Sequence, residues 1–462
     1  MAPHRRLRSL VGLGAVLALV AGCTSGGGSG QPKPPPSNKP TPGTAGPGVV
    51  ARTAGAVDVR ASGAKGDGSG DDTAAFVRAQ DAAVASGVRY PNGPSRRPQA
   101  VVYVPPGTYR LLRLAFHPDL RMEVDAGAVL EQAGGRNIDV KNSVPALIMW
   151  DGPPGKALEN VSLMGVNSSS GGRKGLAEPV FAGWSVEPDF TFNLDPATTD
   201  ANEAVAGVQA VNVDGFSIEN VYSIQNDSQP SAKTKNKASA WPETQKAALG
   251  LRGSSATPTD GSVFYDPHNG TVTNWYNVNG PKGYGPNQVN GGHNLAFHHI
   301  YSRGGTSLRL ETDASQGKDF GAELRGVQAD DIAGESCNRA VVFAPHSQTN
   351  HDVHVTHVQA VGCADGVLES RDETNKSTEG SFQGSTIADV TVSSGRRAQD
   401  SRQGTHGLWT IGLSEKAFAK DAKTRSLWSV VYTAGTFHCT GSFMTRSDEV
   451  MTTAGLQRPT CT

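Results

Sequence analysis

The chain has 462 residues, enough for about three ordinary domains or one long solenoid. A hydrophobic content of 37% together with 56 glycines excludes global disorder. A formal charge of −1, from 42 basic and 43 acidic residues, excludes the basic excess of a dedicated nucleic-acid binder.

At the N-terminus, Arg5, Arg6 and Arg8 precede the apolar run Leu10–Ala21, which is too short to span a bilayer. The run ends Val20-Ala21-Gly22-Cys23, which looks like a bacterial lipobox whose Cys23 receives the lipid. Residues 24–50 hold seven Gly and seven Pro and cannot build a core. The expected organisation is a signal peptide over 1–23, a tether over 24–52, a catalytic domain over 53–395 and a disulfide-tied cap over 396–462. The protein is expected outside the cytoplasm, lipid-anchored to a membrane and monomeric, with no nucleic-acid partner.

The next segment, Val57 to Leu111, has a helix start at Asp71 or Asp72. Ala74, Ala75, Phe76, Ala79, Ala82 and Ala83 follow at helical spacing. Val101–Val104 then reads as a buried strand and Pro105-Pro106-Gly107 as a turn. This stretch resembles the opening of pectate-lyase-superfamily proteins, which implies a helix capping a right-handed parallel β-helix. Short apolar strands recur at Leu158–Val166, Phe216–Ile224, Gly270–Val278, Leu295–Tyr301, Ala322–Ile332, Val353–Val361 and Ile387–Val392. Phe297, Gly326 and Val355 mark a period of 29 residues. The expected class is all-β, a single-stranded right-handed parallel β-helix with an N-terminal capping helix.

Within the repeats, Gly304-Gly305-Thr306-Ser307-Leu308-Arg309-Leu310-Glu311-Thr312-Asp313 alternates as a strand. Leu308, Leu310 and Thr312 face inward, so Arg309, Glu311 and Asp313 share the outer face. Two carboxylates at i and i+2 lie about 6.6 Å apart, from a rise of about 3.3 Å per residue. Inverting glycosidases hold their acid and base about 6.5–9.5 Å apart. Gln288 precedes Glu311 by about one coil, and His346 follows it by one coil plus a loop.

A Glu-x-Asp pair with a Gln one coil before and a His one coil after resembles glycoside hydrolase family 82, the iota-carrageenases. The resemblance covers roughly residues 280–350. It implies an inverting hydrolase of the β-1,4 linkages of a sulfated galactan. On it, Glu311 is the general acid, Asp313 the general base, and Gln288 and His346 support the pair and orient water. No required cofactor and no metal ligand are expected, with a structural ion left unassigned. Arg309, which shares the face of the acid pair, Arg303 and Arg339 are the candidate substrate-binding cations.

Two other readings compete. Asn212-Val213-Asp214 and Asp330-Asp331 are pieces of a polygalacturonase site, but they lie far apart in the chain. A non-catalytic carbohydrate-binding β-helix would fit the same repeats, although no aromatic stripe appears near 285–346. His351, His354 and His357 read as solvated strand residues. After Cys23, the four remaining cysteines suit two disulfides of an exported chain, Cys337–Cys363 and Cys439–Cys461 by proximity.

Overall fold

A computed structural model of the chain describes residues 50–133, 146–152, 156–167, 190–193, 206–224, 249–252, 267–280, 287–311, 323–345, 349–361, 363, 365–369, 381–393, 409–413, 431–432 and 439–440. Cys23, nearly all of the 24–52 tether, Asp313, His346 and Cys461 lie outside these residues.

The described chain is a parallel β-helix. Successive strands pair in parallel with the equivalent strand of the next coil, and the one antiparallel pairing recorded joins Arg89–Tyr90 to Gln99–Val104. The capping helix runs from Thr73 to Ser86. Asp71, rather than the N-cap residue Asp72, accepts the Thr73 amide at 2.8 Å, while Asp72 accepts from the Lys65 amide. The helix buries Ala75, Phe76, Ala79, Gln80 and Ala83, whereas Ala74 and Ala82 face solvent. Gln80 ties it to the first coil, donating to the Ala115 carbonyl at 2.9 Å and accepting from the His117 amide at 3.0 Å.

Inside, like residues stack on like. Leu163, Ile218, Val272, Phe297, Ala329, Val355 and Ile387 form one in-register core row. Val221, Trp275, Ile300, Ile332, Val358 and Val390 form a second. Fully burying a Val, Leu or Ile is worth about 1.5–3 kcal/mol. An exposed ion pair such as Arg97–Glu159 contributes about 0–1 kcal/mol. The rows therefore hold the coils together.

The register corrects the repeat length. Phe297 pairs with Ala329, and Ala329 with Val355, so Gly326 is not in that row. Equivalent corner residues are 54 positions apart between Asn220 and Asn274, 25 between Asn269 and Asn294, and 32 between His299 and Asp331. The period of 29 averaged unequal coils. Parallel pairing also continues beyond residue 395. Trp409–Leu413, Val431–Tyr432 and Cys439–Thr440 each add to the preceding coil, so the coils run into the segment expected to be a cap.

Two columns of left-handed residues make the corners. Asp119, Asn160, Gly215, Asn269, Asn294, Gly326, Asp352 and Gly384 form one, with φ between 52° and 70°. Asn220, Asn274, His299, Asp331, His357 and Asp389 form the other, with φ between 49° and 60°. Only Gly takes this conformation freely, and Asn, Asp and His take it more readily than other residues. The second column starts as an amide ladder, with Asn274 Nδ2 donating to Asn220 Oδ1 at 2.9 Å. It then becomes ionic: His299 Nδ1 lies 2.8 Å from Asp331, and His357 bridges Asp330 at 2.6 Å and Asp389 at 3.4 Å. His299, with φ of 58°, turns the corner and ends the alternation of its strand. His357 is a bridging residue rather than a merely solvated one.

Cys337 and Cys363 form a disulfide across 26 residues, about one coil, with both residues buried. Cys439 begins the strand Cys439–Thr440, but its side chain, like Cys461, is outside the described set.

Replacing both Cys337 and Cys363 by Ala should lower stability by about 3 kcal/mol, from the loop-closure entropy of a ring this size. Chemical denaturation of the double variant against wild type measures it, and an unchanged midpoint would refute it.

The hydrogen bond to Asp330 raises the His357 imidazole above its ordinary value, against the opposing effect of burial, with Asp389 and Asp331 adding to the rise. The folded state thus favours the proton. The stabilisation is full below the unfolded value near 6.5 and fades as pH climbs through the higher folded value. The thermal midpoint gap between wild type and His357→Gln should be widest in mild acid and close above neutrality. A gap that does not vary with pH would contradict this.

Candidate functional site

One face of the solenoid is built from Leu249–Arg252, Asn287–Asn290, Thr306–Glu311, Arg339–Ala344 and Asp365–Glu369, paired in parallel in that order. Its core-facing row is Val289, Leu310 and Phe343. Leu308, Leu310, Val289 and Phe343 are fully buried. Alternation then puts Gln288 and Arg309, both half-buried, on the outward parity, while Asn290 is buried. The alternation expected over Leu308–Leu310 is the one found.

Register decides which of these residues meet. Gln288 pairs with Arg309, and Asn290 with Glu311. Gln288 therefore sits one position-pair along from Glu311, and Asn290, which sequence reasoning did not single out, is its lateral neighbour. Gln288 Nε2 donates to Asn290 Oδ1 at 3.4 Å, tying the two together. On the next coil Glu311 pairs with Ala344, two residues before His346. Asp313 follows Glu311 by two residues, and both Asp313 and His346 are among the undescribed residues.

The strand carrying Glu311 is held at its start. A glycine turn precedes it, with φ of 77° at Gly304 and 68° at Gly305, a backbone that a β-carbon would strain. The Gly305 carbonyl accepts the amides of Asn338 and Arg339 at 2.8 and 3.2 Å. Ser307 Oγ donates to the Ala333 carbonyl at 2.7 Å, which pins the strand to the coil interior.

The three arginines separate. Arg309 lies in the outward row beside Gln288. Arg303 lies elsewhere, before the glycine turn, and its guanidinium donates to both oxygens of Glu335 at 2.9 and 3.0 Å. Glu335 also accepts the Tyr301 hydroxyl. Tyr301 stacks on Tyr276 at 4.3 Å, which stacks on Tyr222 at 5.4 Å. Burial pushes the phenols of Tyr301 and Tyr276 up. Arg303 is thus paired with a carboxylate and set against a tyrosine stack. Arg339 pairs with Thr306 and shares the parity of core residues Val341 and Phe343, with its guanidinium donating to Asn338. It is therefore outside the row of Gln288 and Arg309.

The pieces of the polygalacturonase reading have other employment. Asn212 donates to the carbonyls of Gly152 and Lys156 at 3.4 and 3.1 Å. Asp214 accepts from Asn269 at 2.8 Å, and Asp330 and Asp331 hold the histidines of the corner. Two carboxyls that the sequence did not flag are raised by the protein around them. Burial raises Glu219, opposed by Arg121. Desolvation raises Asp151, although its side chain still reaches solvent, opposed by Arg113. Among the described residues, no group of three or more His, Cys, Asp or Glu is placed to hold a metal, and no helix is long and apolar enough to cross a membrane.

Residues 56–113 match the family model described as rhamnogalacturonase A/epimerase, pectate lyase-like. The chain is 37% identical over 100 residues to an iota-carrageenase of Alteromonas macleodii, covering 21% of this chain and 20% of that protein. It is 25% identical over 291 residues to an iota-carrageenase of Zobellia galactanivorans, covering 61% of this chain and 50% of that protein. The chain thus spans half the length or less of these relatives. In fold it is similar to the family 82 iota-carrageenase of A. fortis, with a TM-score of 0.60, 19% identity, and 84% and 88% of the two chains covered. It is also similar to an iota-carrageenase complexed to iota-carrageenan fragments, at 0.54 and 20%, with 76% of each chain covered. The chain is therefore a right-handed parallel β-helix that resembles the iota-carrageenases in sequence and shares their fold.

Proposed function

We propose that this chain is an exported, lipid-anchored glycoside hydrolase of iota-carrageenase type, cleaving the β-1,4 linkages of a sulfated galactan with inversion. The observation that supports the reading is the register on two adjacent coils, which sets Gln288 beside Arg309 and Asn290 beside Glu311, on a face whose inner row is sealed by Val289, Leu308 and Leu310. The sequence similarity to proteins named iota-carrageenase supports the substrate class.

In this mechanism Glu311 protonates the leaving glycosidic oxygen while Asp313 takes a proton from water attacking the opposite side of the sugar. The C–O bond to the leaving group breaks as the new C–O bond forms, and the anomeric configuration inverts. Arg309, one strand position-pair from Glu311, supplies the positive charge that meets a sulfate ester. A cation there also favours the ionised form of the base. Gln288 and Asn290 orient hydroxyls and water. His346, two residues beyond the Ala344 that pairs with Glu311, supports the base.

Glu311→Gln and Asp313→Asn should each lower kcat by about 10²–10⁴-fold with the fold retained, because the proton donor and the base act in the same step. Reducing-end release from iota-carrageenan measures it, with NMR reading the first-formed anomer. Wild-type turnover by both variants, or a retained anomer, would remove the assignment.

The anchor is read at Cys23. Expressed in a bacterial host, the Cys23→Ser variant should leave the membrane fraction for the soluble one. Persistence of that variant in membranes, with no lipid on the wild type, would exclude the anchor.

A further inference from the structure

Gln209 stands on the candidate face two coils before Gln288, and the mechanism above makes no use of it. Its strand neighbours Val208 and Ala210 are fully buried in the core, so Gln209 points away from that core. Gln209 is nevertheless only 1% exposed, and its Oε1 is buried with no hydrogen-bond partner. An amide oxygen left unmet in this way costs the free protein stability. Asn212, three residues on, differs: its amide donates to the carbonyls of Gly152 and Lys156.

Register sets what stands beside Gln209. Its row runs from Met149 through Gln209, Gly250, Gln288 and Arg309 to Val342. Met149, 8% exposed, is its neighbour on one side. On the other side Gly250 brings no side chain, which leaves a gap in the row between Gln209 and Gln288, two coils or about 10 Å apart. Arg309, one coil beyond Gln288, is the one charged residue of these six. The row is thus uncharged at its Gln209 end and cationic at Arg309.

An unmet acceptor beside a position with no side chain fits a ligand group that brings a hydrogen-bond donor. A sugar hydroxyl brings one, and because it also accepts, it suits the amide in either orientation. A sulfate ester brings no donor, and a neutral amide offsets little of the cost of burying its charge. We infer that Gln209 is a specificity-determining residue, which receives an unsubstituted hydroxyl of the glycan three coils before Arg309 and disfavours a sulfate ester there. This role rests on the glycan-binding face proposed above. It gives that face a direction, with an uncharged edge of the glycan at Gln209 and a charged one at Arg309.

The test uses the full chain carrying Glu311→Gln, so that turnover cannot intrude. The probes are iota-carrageenan oligosaccharides and the same oligosaccharides after chemical oversulfation, which converts their free hydroxyls to sulfate esters. Adding Gln209→Met keeps the length of the side chain and removes both of its hydrogen-bonding groups. In calorimetric titration this change should weaken binding of the native oligosaccharides about three- to tenfold, the worth of one neutral hydrogen bond. Affinity for the oversulfated ones should not change. The thermal midpoint without ligand should rise, because the free protein loses an unmet buried acceptor. A purely structural glutamine would instead lower the midpoint. Unchanged affinity for the native oligosaccharides, an equal loss on both probes, or a lowered midpoint would overturn the role of Gln209. No binding by the Glu311→Gln chain itself would overturn the glycan-binding face and this role with it. Binding of the native oligosaccharides without turnover by the wild type would remove the hydrolase reading and leave Gln209 to be judged by the same titrations.

Discussion

Each coil must land in register on the one before it, and everything else in this protein follows from that requirement. Parallel pairing fixes the rise per coil, and the corner columns fix where each coil bends. A left-handed residue costs an ordinary side chain about 1–2 kcal/mol. A corner repeated on every coil is therefore affordable only where Gly, Asn, Asp or His occupies it. The columns from Asp119 to Gly384 and from Asn220 to Asp389 meet that condition at every described step. Once the corners are set, the inward side chains have no choice of partner. Val272 lies between Ile218 and Phe297 because the backbone bends in the same places on three coils.

The candidate site inherits its geometry from this arrangement and adds little local machinery. Gln288 and Arg309 meet because two strands pair, and neither is brought there by a loop. What the site does need is a firm start to the strand carrying Glu311. The Gly304–Gly305 turn supplies it, with the Gly305 carbonyl accepting two amides from the next coil and Ser307 reaching the Ala333 carbonyl. The Arg303–Glu335 pair and its tyrosine stack lie just upstream of that turn. Their contribution is rigidity. Partial burial limits the water that competes for the carboxylate, and one guanidinium nitrogen holds both of its oxygens.

Much of this was legible in the sequence. The capping helix showed in the spacing of Ala75, Phe76, Ala79 and Ala83, and the strand Leu158–Val166 has the bounds read from its apolar pattern. The alternation of Leu308, Arg309, Leu310 and Glu311 also showed. What did not show depends on coil length, which no local pattern encodes. A fixed period placed Gly326 in the row of Phe297, whereas it is the corner partner of Asn294. The true signal was the recurring Asn, Asp, Gly or His at each bend, as in Glu219-Asn220-Val221, Thr273-Asn274-Trp275 and Asp330-Asp331-Ile332. Partners on other coils were likewise hidden. Arg303 looked like a free cation until register brought Glu335 beside it, and Arg339 looked like a groove residue until pairing with Thr306 set its parity.

The alternation on the Thr306–Glu311 strand has a consequence for how such a chain can diverge. Inner and outer roles there are assigned by odd and even position, not by residue type alone. Inserting a single residue before Leu308 would turn Arg309 toward Val289 and Phe343 and expose two leucines, exchanging the outer row and the sealed row in one event. Length can therefore drift within the strand only in steps of two, whereas the connections between faces tolerate any number. Change in length is channelled into those connections, and the Thr306–Glu311 strand is left with substitution as its main route.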